Sequence, residues 1–123
     1  MTDEPRIPEI DVGKPLVPNK LAGRPDKALF HLGQVVATPG ALRVLEEIGV
    51  TPLSLICRHQ CGDWGDLEDQ DRWINNSALI NSGRLFSAYD LTRQGTSEPC
   101  TERIWVITEA GRAVTTLLLP SEY

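Results

Sequence analysis

Two segments in the first half of the chain begin with threonine followed by proline, at positions 38–39 and 51–52. Threonine is a good N-cap residue, and proline fits the first turn of a helix. Apolar residues follow each pair at helical spacing, so we predict helices over 39–48 and 52–60. Gly49 is expected to end the first helix, because glycine readily adopts the left-handed conformation of a helix C-terminus.

A third helix is predicted over 67–81, with Asp66 as its N-cap. Acidic residues in its first turn oppose the positive end of the helix dipole. The apolar spacing predicts an inward stripe of Leu67, Ile74 and Ala78. Trp73 and Ile80 lie beside this stripe.

The remainder of the chain has the period of two that is typical of β-strands. We predict a strand over 84–92, a polar loop over 93–102, and strands over 103–109 and 112–119. The intervening Ala110-Gly111 dipeptide predicts a two-residue hairpin, in which Glu109 faces Arg112 and Trp105 faces Thr116. The stretch 31–37 is compatible with a short strand or with a buried lead-in.

Helices that precede a run of antiparallel strands define an α+β order. We therefore expect two or three short helices packed on a three- to four-stranded antiparallel sheet, formed by residues 29–123. Residues 1–28 hold five of the nine prolines and no periodic pattern. Such a segment favours an extended backbone, so we expect a disordered or surface-draped N-terminal arm.

The net charge of −5 is carried entirely by residues 29–123, because the acids and bases of the arm balance. Affinity for phosphates depends on cation density, so direct nucleic-acid binding is not expected and a protein is the expected partner. No apolar run is long enough to span a membrane. The N-terminus lacks the pattern of a signal peptide, and three cysteines are an odd number, so we expect a cytoplasmic protein with free thiols.

One candidate metal site is the motif Cys57-x-His59-x-Cys61, with Cys100 as a possible fourth ligand. A closed zinc site needs four ligands and usually a second cysteine or histidine pair. Cys57 lies on the inner face of the predicted helix, where a free cysteine packs as a small apolar residue. The acids of 63–71 lack the glycine and the spacing of a calcium loop. We expect no metal and no cofactor.

A second group of candidate residues surrounds the end of the second helix, where His59 is followed by Asp63, Trp64 and Asp66. A histidine at a helix C-terminus can act as a general acid or base. The alternative is that histidine and tryptophan pack the turn while the aspartates cap the next helix.

Polar side chains are also concentrated on the predicted strands, and the set comprises Arg84, Ser87, Tyr89, Thr108, Glu109, Arg112, Thr115 and Thr116. Metal-independent RNA cleavage uses such groups. Glu109 would accept the 2′-hydroxyl proton, Arg84 and Arg112 would bind phosphate, and His59 would protonate the leaving oxygen. Alternatively, Glu109 and Arg112 form a surface cross-strand pair, and the threonines are simply good strand formers.

Two blocks of sequence carry a family resemblance. The first combines LGQVVATPGAL at 32–42 with Arg58-His59-x-x-Gly62-Asp63-Trp64-Gly65, and the second combines FSAY at 86–89 with IWVITEA at 104–110 and TTLLLP at 115–120. Together they resemble a family of small bacterial proteins of plasmids and integrative elements, often labelled "type I restriction endonuclease subunit M". The resemblance implies an accessory role on mobile DNA, such as blunting a host restriction or CRISPR defence.

We therefore expect a non-enzymatic accessory binding protein of a mobile element that inhibits a nucleic-acid-processing defence complex. The residues expected to contact the partner are Asp63, Trp64, Asp66, Tyr89, Glu109 and Arg112. The alternative function is a metal-independent endoribonuclease of the barnase-like toxin class, with His59, Arg84, Glu109 and Arg112 as its catalytic groups. An acidic domain suits the first role, since it can compete for the basic grooves of nucleic-acid enzymes.

Overall fold

The computed structural model describes residues 28–93 and 100–123. The predicted N-terminal arm, apart from its last residue, and positions 94–99 of the predicted polar loop lie outside the described residues. None of the helices in the described ranges is long and apolar enough to cross a membrane.

Four strands form one mixed sheet: β1 (Gln34–Ala37), β2 (Leu85–Thr92), β3 (Thr101–Thr108) and β4 (Val114–Leu118). Their spatial order is β1-β4-β3-β2, in which β2, β3 and β4 are antiparallel neighbours and β1 pairs parallel with β4. The predicted α+β class and strand number are confirmed, and the predicted antiparallel pairing holds for β2, β3 and β4, whereas β1 departs from it. The outer strand is parallel because the helices return the chain across the sheet between β1 and β2, as a parallel pairing requires.

The three helices are α1 (Pro39–Ile48), α2 (Pro52–Gln60) and α3 (Asp69–Asn81). The Thr-Pro start signals are confirmed, because Thr38 accepts a hydrogen bond from an N–H of the first turn of α1 at 3.1 Å, and Thr51 caps α2 in the same way. The C-terminus of α1 is also as predicted, with the following glycine in the left-handed conformation.

The prediction for the start of α3 was wrong by two residues, and Asp66 is not its N-cap. The chain at 64–66 instead runs beside β2 as a short bridge, and the Asp66 carboxylate accepts a hydrogen bond from the Asp90 N–H at 2.8 Å. Of the predicted inward stripe, Leu67 and Ala78 are buried, and Asn75 is the other buried residue of α3. The three larger apolar side chains are exposed, namely Trp73, Ile74 and Ile80.

The predicted hairpin register is shifted by two residues, so that Trp105 faces Leu118 rather than Thr116. The turn is longer than two residues, because Ala110–Arg112 form a 3-10 turn and the Glu109 N–H donates to the Val114 carbonyl at 3.0 Å. A shift by an even number of residues leaves every side chain on its predicted face, since side chains alternate along a strand.

One face of the sheet packs against α1 and α2 and holds the larger apolar core. Its fully buried members include Leu45, Leu55, Ile56, Tyr89, Ile104 and Leu117. The side chains of the other face include Phe86, Trp105 and Ile107. Phe86 and Trp105 are only partly buried, so this second face of the sheet is partly open.

The outer edge of β2 is closed to further strand pairing by three contacts. The Asn75 side-chain amide donates to the Phe86 carbonyl at 2.6 Å and accepts from the Phe86 N–H at 3.0 Å. Ala88 exchanges backbone hydrogen bonds with the bridge at 64–66, and Asp66 takes the next free N–H. These contacts protect an edge that would otherwise favour aggregation.

Candidate functional site

A groove with a volume of about 340 Å³ lies between α3 and the open face of the sheet. Volumes of this size are typical of sites for small molecules or single anchor side chains. The floor is formed by the sheet residues Phe86, Trp105 and Ile107, and Ile74 of α3 forms one wall. The groove is therefore mainly apolar and aromatic.

Three aromatic rings shape the groove through edge-to-face contacts. The Trp105 ring lies 5.0 Å from that of Phe86 and 5.6 Å from that of Tyr123, measured between centroids. The Arg84 guanidinium lies over the Tyr123 ring at 5.2 Å and donates to its hydroxyl at 2.6 Å. These contacts fix the rings in place, so the groove is preformed.

The indole Nε1 of Trp105 is shielded from solvent and has no hydrogen-bond partner within residues 28–93 and 100–123. By contrast, the indole Nε1 of Trp64 donates to Asn76 at 3.3 Å. An unpaired buried N–H costs about 1–3 kcal/mol. Because the Trp105 Nε1 is enclosed by protein, Trp105 contributes its ring, and not its N–H, to the surface of the groove.

A second polar cluster is enclosed in the core around His59, whose side chain is fully buried. Its Nδ1 lies 2.6 Å from the Ser87 hydroxyl, and its Nε2 lies 2.9 Å from the Thr108 hydroxyl. Thr108 is in turn 2.7 Å from Thr115, whose hydroxyl donates to the Leu32 carbonyl at 2.7 Å. Both ring nitrogens are thus satisfied inside the protein.

The direction of this chain of hydrogen bonds determines the tautomer of the histidine. Since Thr115 uses its one proton on a carbonyl, it must accept from Thr108, and Thr108 must therefore accept from His59. The proton of the neutral ring thus lies on Nε2, and Nδ1 accepts from Ser87. The geometry is that of a neutral imidazole held by two hydroxyl groups, with Thr115 supporting the second of them.

Burial lowers the pKa of His59 from 6.5 to about 3, and the positive charge of Arg112 contributes to the decrease. At neutral pH the ring is uncharged, and it has no free nitrogen with which to protonate a leaving group. The resulting prediction concerns stability: an unfolded histidine binds a proton below pH 6.5, whereas the folded one does so only near pH 3. The free energy of unfolding should therefore fall with decreasing pH by up to about 1.4 kcal/mol per pH unit.

Urea unfolding between about pH 7 and pH 5 isolates this effect, because most carboxylates titrate at lower pH. The conservative variant His59→Gln should lose the steep pH dependence, whereas His31→Gln should retain it, since His31 is exposed. An identical pH dependence in wild type and His59→Gln would show that His59 is not the titrating group.

The four residues of the ribonuclease hypothesis do not form one open site in the described structure. His59 is enclosed, whereas Glu109 is exposed and lies 3.7 Å from Arg84 in an ion pair. Arg112 donates to the carbonyl oxygens of Ala78 and Gly83, and burial lowers its pKa. The guanidinium thus ties the β3–β4 turn to the end of α3 instead of pointing to solvent.

The residues predicted to contact a partner are divided between core and surface. Trp64 and Tyr89 are buried, and the Tyr89 hydroxyl donates to the Asp63 carbonyl at 2.6 Å. The Asp63 carboxylate forms an ion pair with Arg58 at 2.7 Å, and Asp66 caps a strand edge as described above. The contacts of these four side chains therefore stabilise the fold.

The proposed metal ligands are not gathered together. Within the described ranges, no three histidine, cysteine, aspartate or glutamate side chains are close enough to hold a metal ion. Burial, together with the neighbouring Cys61, raises the pKa of the Cys57 thiol, which favours its protonated form. The ring nitrogens of His59 are occupied by hydroxyl groups.

The groove itself was not predicted from the sequence. Phe86, Trp105 and Ile107 are placed on one strand face by the period of two. The missing information was the position of α3, which leaves that face uncovered.

Comparison of the chain with protein-family models, with curated proteins and with solved structures gave no match. The described fold and site are those of an α+β domain with an enclosed histidine cluster and an open aromatic groove.

Proposed function

We propose that this chain is a non-enzymatic binding protein that engages a protein partner through the groove beside α3. The observation that carries this proposal is a preformed aromatic groove between α3 and the open face of the sheet. Concave, mainly apolar sites with a few polar groups are the usual binding sites of proteins. The internal position of His59 supports binding over catalysis, because the best general acid–base candidate is already satisfied by its neighbours.

The exposed apolar side chains in the first half of α3 extend this surface. Trp73 is 68% exposed and Ile74 is 48% exposed. Large apolar side chains grouped at a surface are typical of interaction sites. Tryptophan is also among the residues that contribute most to protein–protein affinity.

We further propose that the partner belongs to a nucleic-acid-processing defence complex, such as a restriction or CRISPR enzyme, and that the chain acts for a mobile element in the cytoplasm. The family resemblance supports the mobile-element role. The acidity of the domain supports the choice of partner, because an acidic surface is attracted to the basic grooves of such enzymes.

The test is the plating efficiency of unmodified phage on bacteria that carry a restriction or CRISPR system and express this chain. The wild type should raise the plating efficiency, and Ile74→Arg should abolish the increase, because the arginine would fill the groove. The matched control is Ile80→Arg, the same substitution on the same helix at a residue that does not line the groove. We expect Ile74→Arg to weaken binding by about 2 kcal/mol, or roughly thirtyfold.

If no defence system is inhibited by the wild type, the proposed role is wrong. If both arginine variants remain inhibitory and folded, the role stands, but the groove is not the binding surface. Circular dichroism of the two variants separates loss of binding from loss of structure.

A further inference from the structure

The charges of the domain are unevenly neutralised. Most arginines of the described residues form ion pairs, and the closest pairs are Arg103–Asp90 at 2.6 Å, Arg58–Asp63 at 2.7 Å and Arg93–Glu47 at 2.9 Å. Glu68, Asp69 and Asp71 form no ion pair within residues 28–93 and 100–123, and all three are exposed. The free negative charge is therefore concentrated at the start of α3.

Part of this acidic turn belongs to the groove, since Asp71 lies on its wall together with Ile74. The helix dipole accounts for acids in the first turn, but it does not neutralise them. An occupant of the groove would thus meet an apolar floor and the unpaired carboxylate of Asp71, since Arg84, which also lines the groove, is paired with Glu109. Each of these groups requires a different chemical feature of the occupant.

We propose that the groove accepts a segment of the partner protein in which an apolar or aromatic side chain stands beside a lysine or arginine. The apolar side chain packs between Phe86 and Ile74, and the cation meets Asp71. This inference rests on the proposed function and specifies which part of a partner surface is recognised.

Charge complementarity favours this occupant over an acidic one. An acidic segment would bring like charge against the unpaired carboxylates of the helix start, and like-charge contacts oppose association. The same repulsion opposes a nucleic-acid backbone. The basic surfaces of nucleic-acid enzymes, by contrast, present lysine and arginine to such a carboxylate.

The test is selection of a phage-displayed library of random short peptides on the full-length chain. The enriched peptides should combine an apolar residue with lysine or arginine within a few positions. The variant Asp71→Asn should weaken binding of these peptides about tenfold, since it removes the charge and keeps the shape. The matched control is Glu46→Gln, an exposed acid on α1 without an ion pair, which should leave the affinity unchanged.

Enrichment of acidic peptides, equal affinity of Asp71→Asn and wild type, or no enrichment would overturn this inference. These results are distinguishable from a failure of the proposed function. If peptides with an apolar residue beside a lysine or arginine bind the groove but the chain does not inhibit phage defence, the proposed occupant of the groove is supported and the defence role is rejected. Inhibition of defence by a chain that selects no basic peptide would reject the chemistry alone.

Discussion

Replacement of His59 by alanine is expected to lower the free energy of unfolding by about 3–5 kcal/mol. The substitution opens a cavity at a fully buried position and removes the partner of two buried hydroxyl groups, those of Ser87 and Thr108. Because the three hydroxyls and the ring form one continuous chain, the loss should exceed that of a single hydrogen bond.

Urea denaturation at neutral pH measures this effect, with His31→Ala as the matched control. His31 is exposed, so its replacement should change stability by less than about 0.5 kcal/mol. A loss below about 1 kcal/mol for His59→Ala would show that the buried cluster is not a main source of stability. The intermediate variant His59→Gln should recover part of the loss, since an amide can donate and accept.

Replacement of Gly65 by alanine should destabilise the protein by about 3 kcal/mol or more. Gly65 has a φ of 79°, and a Cβ there would overlap the Ala88 carbonyl oxygen and lie 2.6 Å from Cδ1 of Tyr89. Neither neighbour can move easily, because Ala88 is part of β2 and Tyr89 is a fully buried core residue. The alanine would therefore separate the bridge at 64–66 from the sheet edge.

The control for this prediction is Gly49→Ala, which has a similar φ of 89° but no atom within 4 Å of the added Cβ. This variant should lose only about 1 kcal/mol, the conformational cost of the left-handed region. Equal effects of the two substitutions in thermal or urea unfolding would contradict the close packing of Gly65 against β2.

Helix N-caps were predicted correctly where the capping side chain bonds to the turn that directly follows it in sequence. Thr38 and Thr51 start their helices as predicted, because an N-cap requires only the following turn. Asp66 failed as a cap because a residue distant in sequence, Asp90, offers a free N–H at the sheet edge. Local sequence does not show that competition.

Helical periodicity predicted only part of the inward face of α3. Periodicity assumes that the apolar side chains of a helix face the core, and Trp73, Ile74 and Ile80 were assigned on that basis. In the structure the contact is made by Asn75, whose amide matches the backbone polar groups of the β2 edge. A helix that packs on a strand edge needs a polar inward residue, so hydrophobicity alone gives the wrong face.

Ser87, Thr108 and Thr115 were among the polar strand residues noted in the sequence, but their contact with His59 in the core was not predicted. Burial removes His59 from the predicted catalytic set and makes it part of the core. The groove depends on where α3 leaves the sheet uncovered, which is a property of tertiary packing.

The groove beside α3 is the proposed binding surface, and the NMR signals of the three tryptophan indole N–H groups show whether a peptide binds there. Each reports a different place: Trp64 is buried and bonded to Asn76, Trp73 is exposed on α3, and Trp105 lies in the groove. In a titration with an unlabelled short peptide of leucines flanked by lysines, we expect the Trp105 signal to shift and the Trp64 signal to stay. A shift confined to Trp73, or no shift at any indole, would contradict the account.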